Sequence, residues 1–242
     1  MNTAMNAIFT QVQATLGFKL FGEKAVADMI KELKQLEHGL ITRKRVVEGI
    51  CPDSLSVEGK KQALNAVNLI KKKRDGTIKR RTCANGSSQH KYLKENESIT
   101  SPMVSLEGLL TTLIIDAFEG RQVATFDIPK AYLHAEMPKD KKVLLKLRGI
   151  FVDIMCDINP EYEQYVRFEN GVKVLYLRVL RAIYGCIESA LQWYVLYKTT
   201  LEKEGFELNP YDLCIANKVI NNKQFTLCWY VDDNKASHAD KK

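Results

Sequence analysis

Tyr230-Val231-Asp232-Asp233 closes the run Phe225-Thr226-Leu227-Cys228-Trp229-Tyr230-Val231, whose β-branched and aromatic residues follow the turn signal Asn221-Asn222. A strand entered from a hairpin is predicted, with two carboxylates at its end. Adjacent anions repel and are costly beside apolar groups unless a cation neutralises them, which points to a divalent metal, and a hard ion such as Mg²⁺ suits oxygen ligands. Taken alone, an Asp-Asp pair is most often a solvated strand end.

Working outward, Gln122 to Phe126 is another apolar strand, and it delivers Asp127 ahead of Ile128-Pro129-Lys130-Ala131-Tyr132-Leu133. Carboxylates from two strands could form one metal site, with Asp127 and Asp232 as the leading ligands. Successive strand residues face opposite ways, so Asp233 contributes only if a tight turn brings it round.

These residues resemble the reverse transcriptase domain of copia-type long-terminal-repeat retrotransposons, whose palm carries Asp-x-x-x-Ala-(Phe/Tyr)-Leu and a later Tyr-Val-Asp-Asp. The segment Ala182-Ile183-Tyr184-Gly185-Cys186-Ile187-Glu188-Ser189-Ala190-Leu191-Gln192-Trp193 is similar to the family's Leu-Tyr-Gly-Leu-Lys-Gln-Ala-Pro-x-x-Trp, matching at Tyr184, Gly185 and Trp193. The resemblance implies an RNA-directed DNA polymerase core with two Mg²⁺ ions held by Asp127, Asp232 and Asp233. It implies Tyr132 as the floor of the sugar pocket, Lys79 and Arg81 on the incoming triphosphate, and Tyr184 and Gly185 lining the nucleotide site. The implied partners are a template with primer, deoxynucleoside triphosphates and the rest of a Pol polyprotein. The implied setting is a cytoplasmic virus-like particle or the nucleus. Glu188 departs from the pattern by placing a negative charge near a site meant for triphosphate. Asn234-Lys235-Ala236-Ser237-His238 replaces the usual apolar strand, so the second half of the acidic hairpin is expected to lack a strand and to pair poorly. The chain ends soon after, and a missing thumb is implied.

At 242 residues and 45% apolar content the chain can bury a substantial core. A net charge of +7 favours a polyanionic partner, nucleic acid before an anionic membrane. The six Cys form no C-x-x-C pair, so reduced thiols are expected, not a zinc module or a disulfide framework. No apolar run reaches the about 18 residues of a membrane span.

Glu23 to Glu37 reads as an amphipathic helix with Val26, Ile30, Leu33 and Leu36 on one face and Gly39 as its stop. Ser56 to Leu69 reads as a second helix. Lys71 to Arg81 reads as a basic hairpin about Asp75-Gly76, and Ser87 to Ser98 as a surface loop. Ser101-Pro102 is expected to open a core helix running to Glu119. Lys142 to Leu147 reads as a strand, Val166 to Val179 as a hairpin about Asn170-Gly171, and about Glu188 to Glu204 as a helix with Leu191, Tyr194, Val195 and Leu201 inward. A strand from Leu213 to Ile220 then leads into the Asn221-Asn222 turn. Antiparallel hairpins mixed with helices indicate an α+β fold. The resemblance divides it into fingers (1–99 and 135–180) and palm (100–134 and 181–242). Two further readings stay open. One is an inactive retroelement remnant that binds nucleic acid through the 71–81 hairpin, and the other an unrelated metal-dependent phosphotransferase.

Overall fold

The computed structural model describes residues 12–39, 44–73, 75–92 and 99–240. In chain order the first elements are β1 (Val12–Gln13), α1 (Ala14–His38), β2 (Val47–Gly49), α2 (Val57–Gln62), β3 (Leu64–Lys72), β4 (Ile78–Ala84), α3 (Leu106–Phe118) and β5 (Gln122–Asp127). They continue with β6 (Leu144–Arg148), α4 (Ile150–Ile158), β7 (Arg167–Glu169), β8 (Val172–Val179), α5 (Ser189–Lys203), β9 (Glu207–Leu208), β10 (Ile215–Ile220), β11 (Lys223–Tyr230) and β12 (Asp233–His238). Helices and mostly antiparallel sheets mix as an α+β fold requires.

The chain divides into two compact units, Met1–Glu97 with Glu136–Ile187 and Ser98–Ala135 with Glu188–Lys242. The first holds a seven-stranded sheet of order β1-β3-β6-β8-β2, with β4 on β3 and β7 on β8. Helix α1 breaks at Gly22 (φ 62°, ψ −150°) and then lays Ala25, Met29, Leu33 and Leu36 against β3, β4 and α4. Val26 and Ile30, expected on this face, are only half-buried. Burial of each large side chain such as Leu33, Ile70, Leu145 or Met155 stabilises the unit by about 1.5–3 kcal/mol.

The expected helix over Ser56 to Leu69 is helix in its first half and strand in its second. Only Val57–Gln62 is helical, with Ser56 Oγ accepting from the Gly59 amide at 3.0 Å. Beyond it Leu64–Lys72 joins ladders to β1, β4 and β6. Helix propensities differ by only tenths of a kcal/mol per residue, so available ladder partners decide the conformation. The hairpins at Asp75-Gly76 and Asn170-Gly171 form as expected. Gly86–Tyr92 is a 3₁₀ turn where loop was expected, and residues 93–98 of that stretch lie outside the described residues.

The second unit is a five-stranded antiparallel sheet of order β5-β12-β11-β10-β9. Its core packs Tyr194 and Leu201 of α5 on Ala216, Leu227 and Trp229. Val195, expected inward, is 45% exposed, and Trp193 is buried in its stead. Helix α3 starts later than expected because its N-cap is Ser105, not Ser101. Ser105 Oγ accepts from the Gly108 amide at 2.9 Å and donates to Asp212 at 2.8 Å. Nor is α3 core scaffold throughout. Thr112 and Asp116 are buried, while Leu106, Leu110, Leu113, Ile114 and Phe118 form an exposed stripe.

The largest departure is β12. Asn234 to His238 forms a full strand between β11 and β5, where no partner strand was expected. Two of its buried polar side chains find partners, Tyr197 for Asn234 and Asp116 for Lys235, whereas the Ser237 hydroxyl is buried without one. A paired polar group occupies an interior at a lower free-energy cost than an unpaired one.

Candidate active site

Asp127 is the last residue of β5 and Asp233 the first of β12, and the two are direct cross-strand partners. Such partners put their side chains on one face with Cβ atoms about 4.5–5.5 Å apart. The strand expected to reach Val231 stops at Tyr230, and Val231-Asp232 forms a two-residue turn pairing Tyr230 with Asp233. This tight turn places the second acid beside Asp127. Beyond the ladder, the Ile128 amide donates to the Asp232 carbonyl at 2.9 Å.

Asp127 and Asp233 are exposed and Asp232 half-buried. Among the described residues none of the three carboxylates has a hydrogen-bonding or ion-pair partner. Like charges directly opposite destabilise a strand pair, so two facing oxygen donors with no protein cation fit a hard divalent ion. The structure nevertheless gathers no group of three or more His, Cys, Asp or Glu side chains as a metal set among the described residues. Asp127 and Asp233 come together, whereas Asp232 is tied in through its backbone. A cavity of about 550 Å³ opens beside the pair, lined also by Val104, Leu109, Tyr230 and Lys235.

From the other face of the sheet, α5 braces the turn. Trp193 Nε1 donates to the Val231 carbonyl at 2.8 Å. The Tyr197 hydroxyl donates to Asn234 Oδ1 at 2.6 Å, and Asn234 Nδ2 donates to the Asp232 carbonyl at 2.7 Å. Burial pushes the Tyr197 phenol up to about 12, so it stays a neutral donor at neutral pH. Trp193 stacks on Tyr197 at 5.2 Å, and Tyr197 meets Trp229 edge-on at 5.3 Å. Sequence reading singled out neither Tyr197 nor Asn234. The available signal was the i, i+4 spacing of Trp193 and Tyr197. Tyr132 lies half-buried in the 3₁₀ turn Ala131–His134, which follows Lys130 at φ 59° and packs on α5. Glu188, whose charge was expected near a triphosphate, is 6% exposed at the start of α5.

The expected cationic residues belong to the first unit. In the β3–β4 hairpin Lys71 pairs with Lys79 and Leu69 with Arg81, so Lys71, Lys79 and Arg81 share a face. They line a groove of about 280 Å³ together with Lys73. Lys79 opposite Lys71 is a repulsive pair that an anion would relieve. The Arg81 guanidinium lies 4.2 Å from the centre of the Tyr184 ring, a cation–π contact. Gly185 was expected to let backbone approach a ligand. Its own surroundings already require the glycine, because φ is 87° and a Cβ would collide with the Ala84 carbonyl. Strand packing therefore accounts for this residue.

No family model matches the chain. Over 189 residues, 75% of its length, it is 28% identical to the transposon Ty1-LR2 Gag-Pol polyprotein of Saccharomyces cerevisiae, of which it covers 9%. The same identity and span hold for the truncated transposon Ty1-A Gag-Pol polyprotein of that yeast, of which it covers 14%. The chain is homologous to the Gag-Pol polyproteins of Ty1, a copia-type retrotransposon, and spans a small part of their length.

Proposed function

We propose that the chain is the reverse transcriptase core of a copia-type retrotransposon polyprotein, an RNA-directed DNA polymerase with a fingers unit and a palm unit. The observation that carries this reading is the direct pairing of Asp127 with Asp233 at a two-residue turn, from strands far apart in sequence. Asp127, Asp232 and Asp233 would hold Mg²⁺, which when bound supplies charge stabilisation to the attacking and leaving oxygens of phosphoryl transfer. The chain's own residues orient the substrates. Lys79 and Arg81 take the triphosphate of an incoming deoxynucleotide, with Tyr184 in cation–π contact with Arg81. Tyr132 would floor the sugar pocket and exclude a 2′-hydroxyl. Template and primer phosphates would be attracted by the basic hairpin.

The test is primer extension on an RNA template in Mg²⁺. Activity is expected in the wild type, with a loss of at least about a hundredfold in Asp127→Asn and Asp232→Asn at a melting temperature no lower than that of wild type. Extension that survives both changes overturns the assignment. The lack of a three-ligand cluster among the described residues favours a second reading, a remnant that binds nucleic acid through 71–81 without catalysis. Salt-sensitive binding that is indifferent to the Asp changes, with no extension in the wild type, selects that reading.

A further inference from the structure

Val231 holds a β-branched side chain at φ 57°. Such a residue sits about 1–2 kcal/mol above an extended conformation and persists only where its surroundings over-determine it. Here the surroundings are specific. Both carbonyls of the turn are held, that of Val231 by the Trp193 indole and that of Asp232 by the Asn234 amide and the Ile128 amide. The Asn234 amide is itself oriented, since its oxygen accepts from Tyr197 and its nitrogen is thereby aimed at the turn. The Ile128 bond continues the β5–β12 register, whereas the bonds from Trp193 and Asn234 are side-chain bonds that the ladder does not supply.

We infer that Trp193, Tyr197 and Asn234 are positioning residues for the acidic turn. They clamp its backbone through the Val231 and Asp232 carbonyls, so that Asp232 and Asp233 are presented to metal in one orientation. The inference rests on the polymerase reading for its consequence but not for its geometry. Asn234 is 4% exposed and Trp193 5%, while Tyr197 is half-buried, so both side chains that bond the turn are shielded from water.

The test separates positioning from folding. Tyr197→Phe and Asn234→Leu each leave one polar group unpaired and are expected to lower the melting temperature. The double variant removes both partners and is expected to return it to within about 2 °C of wild type. If the network only supports the fold, the double variant recovers everything. If it positions the acids, the Mg²⁺ concentration for half-maximal extension stays raised by about fivefold while the primer KM is unchanged, the effect of losing one or two hydrogen bonds. A double variant with wild-type Mg²⁺ dependence overturns the inference.

A second readout needs no catalysis. The chain has two Trp, and Trp193→Phe identifies the indole N–H resonance of Trp193. In the metal-free wild type that proton and the Ile128 amide are expected to exchange slowly, and at least about tenfold faster in the double variant. Rapid exchange of both in the wild type, or no change in the variant, overturns the clamp whatever the polymerase assay shows. A wild type that shows the protection but extends no primer sinks the polymerase reading and leaves the clamp intact.

Discussion

At Val231 the backbone takes φ 57°, while Asn170, Asn221 and Asn222 take φ 50°, 51° and 57°. The asparagines were readable in advance, because their side chains tolerate the left-handed region and mark hairpin turns. Valine has no such tolerance, so its conformation is imposed by the bonds to Trp193 and Asn234 and could not be read locally. Val231→Gly removes the steric cost but adds freedom to the unfolded chain, and the two effects nearly cancel. Urea unfolding should place the variant within about 1 kcal/mol of wild type or above it. A larger loss would mean that the valine side chain packs in a way that outweighs its strain.

Strand β12 shows how an element can be misread from polarity. Asn234, Lys235 and Ser237 look like a solvated tail, yet all three are buried in the middle of the sheet. Lys235 pays for its burial through Asp116 on α3, an ion pair with 9% and 5% of its side chains exposed. Lys235→Met strands the Asp116 charge and should cost about 3–5 kcal/mol in chemical denaturation, whereas Lys235→Met with Asp116→Leu should recover most of it. Helix α3 was misread in the opposite sense. Its apolar positions fit a buried face, but only Thr112 and Asp116 are buried, because the polar side covers the sheet.

The β6–β7–β8 ladder gives a prediction in pH. Burial alone would raise Glu169, but hydrogen bonds from the Lys146 ammonium and the Tyr176 hydroxyl outweigh it and hold the carboxyl below its usual range. A depressed carboxylate contributes stability above its unfolded pKa of about 4.3, and that contribution is lost as pH falls through the folded value. Lys146 is the mirror case. Burial would lower it, but Glu169 and Tyr176 hold it above 10.5, so its contribution is present below that pH and lost as pH rises through the folded value. Between about pH 5 and 3 the melting temperature of wild type should therefore fall more steeply than that of Glu169→Gln. Parallel curves for the two would contradict this account.

For the molecule as a whole, the excess of 36 basic over 29 acidic residues is less informative than its placement. Lys71, Lys73, Lys79 and Arg81 share one groove, so a nucleic-acid ligand should release counterions there. Replacing Lys71 and Lys79 together with Ala should reduce the slope of log K against log salt by about 2 in fluorescence anisotropy, with little effect of sequence. An unchanged slope would move the contact elsewhere. No helix among the described residues is long and apolar enough to cross a membrane. The six cysteines are free thiols, and burial pushes Cys214 up to about 12 and Cys228 up to about 11, which keeps both protonated.

By itself the sequence determined the local events: the Asp75-Gly76, Asn170-Gly171 and Asn221-Asn222 hairpins, the glycine stop at Gly39, and the mixed α+β character. Each depends on the conformational preferences of a few neighbouring residues, which are present wherever those residues occur. Only the tertiary structure decided that Leu64–Lys72 is a strand, that α3 turns its apolar stripe outward, that Asn234 to His238 enters the sheet, and that Asp127 faces Asp233. Those outcomes depend on partners distant in the chain, since a ladder, a buried ion pair or a braced turn gains its free energy only when both sides have arrived.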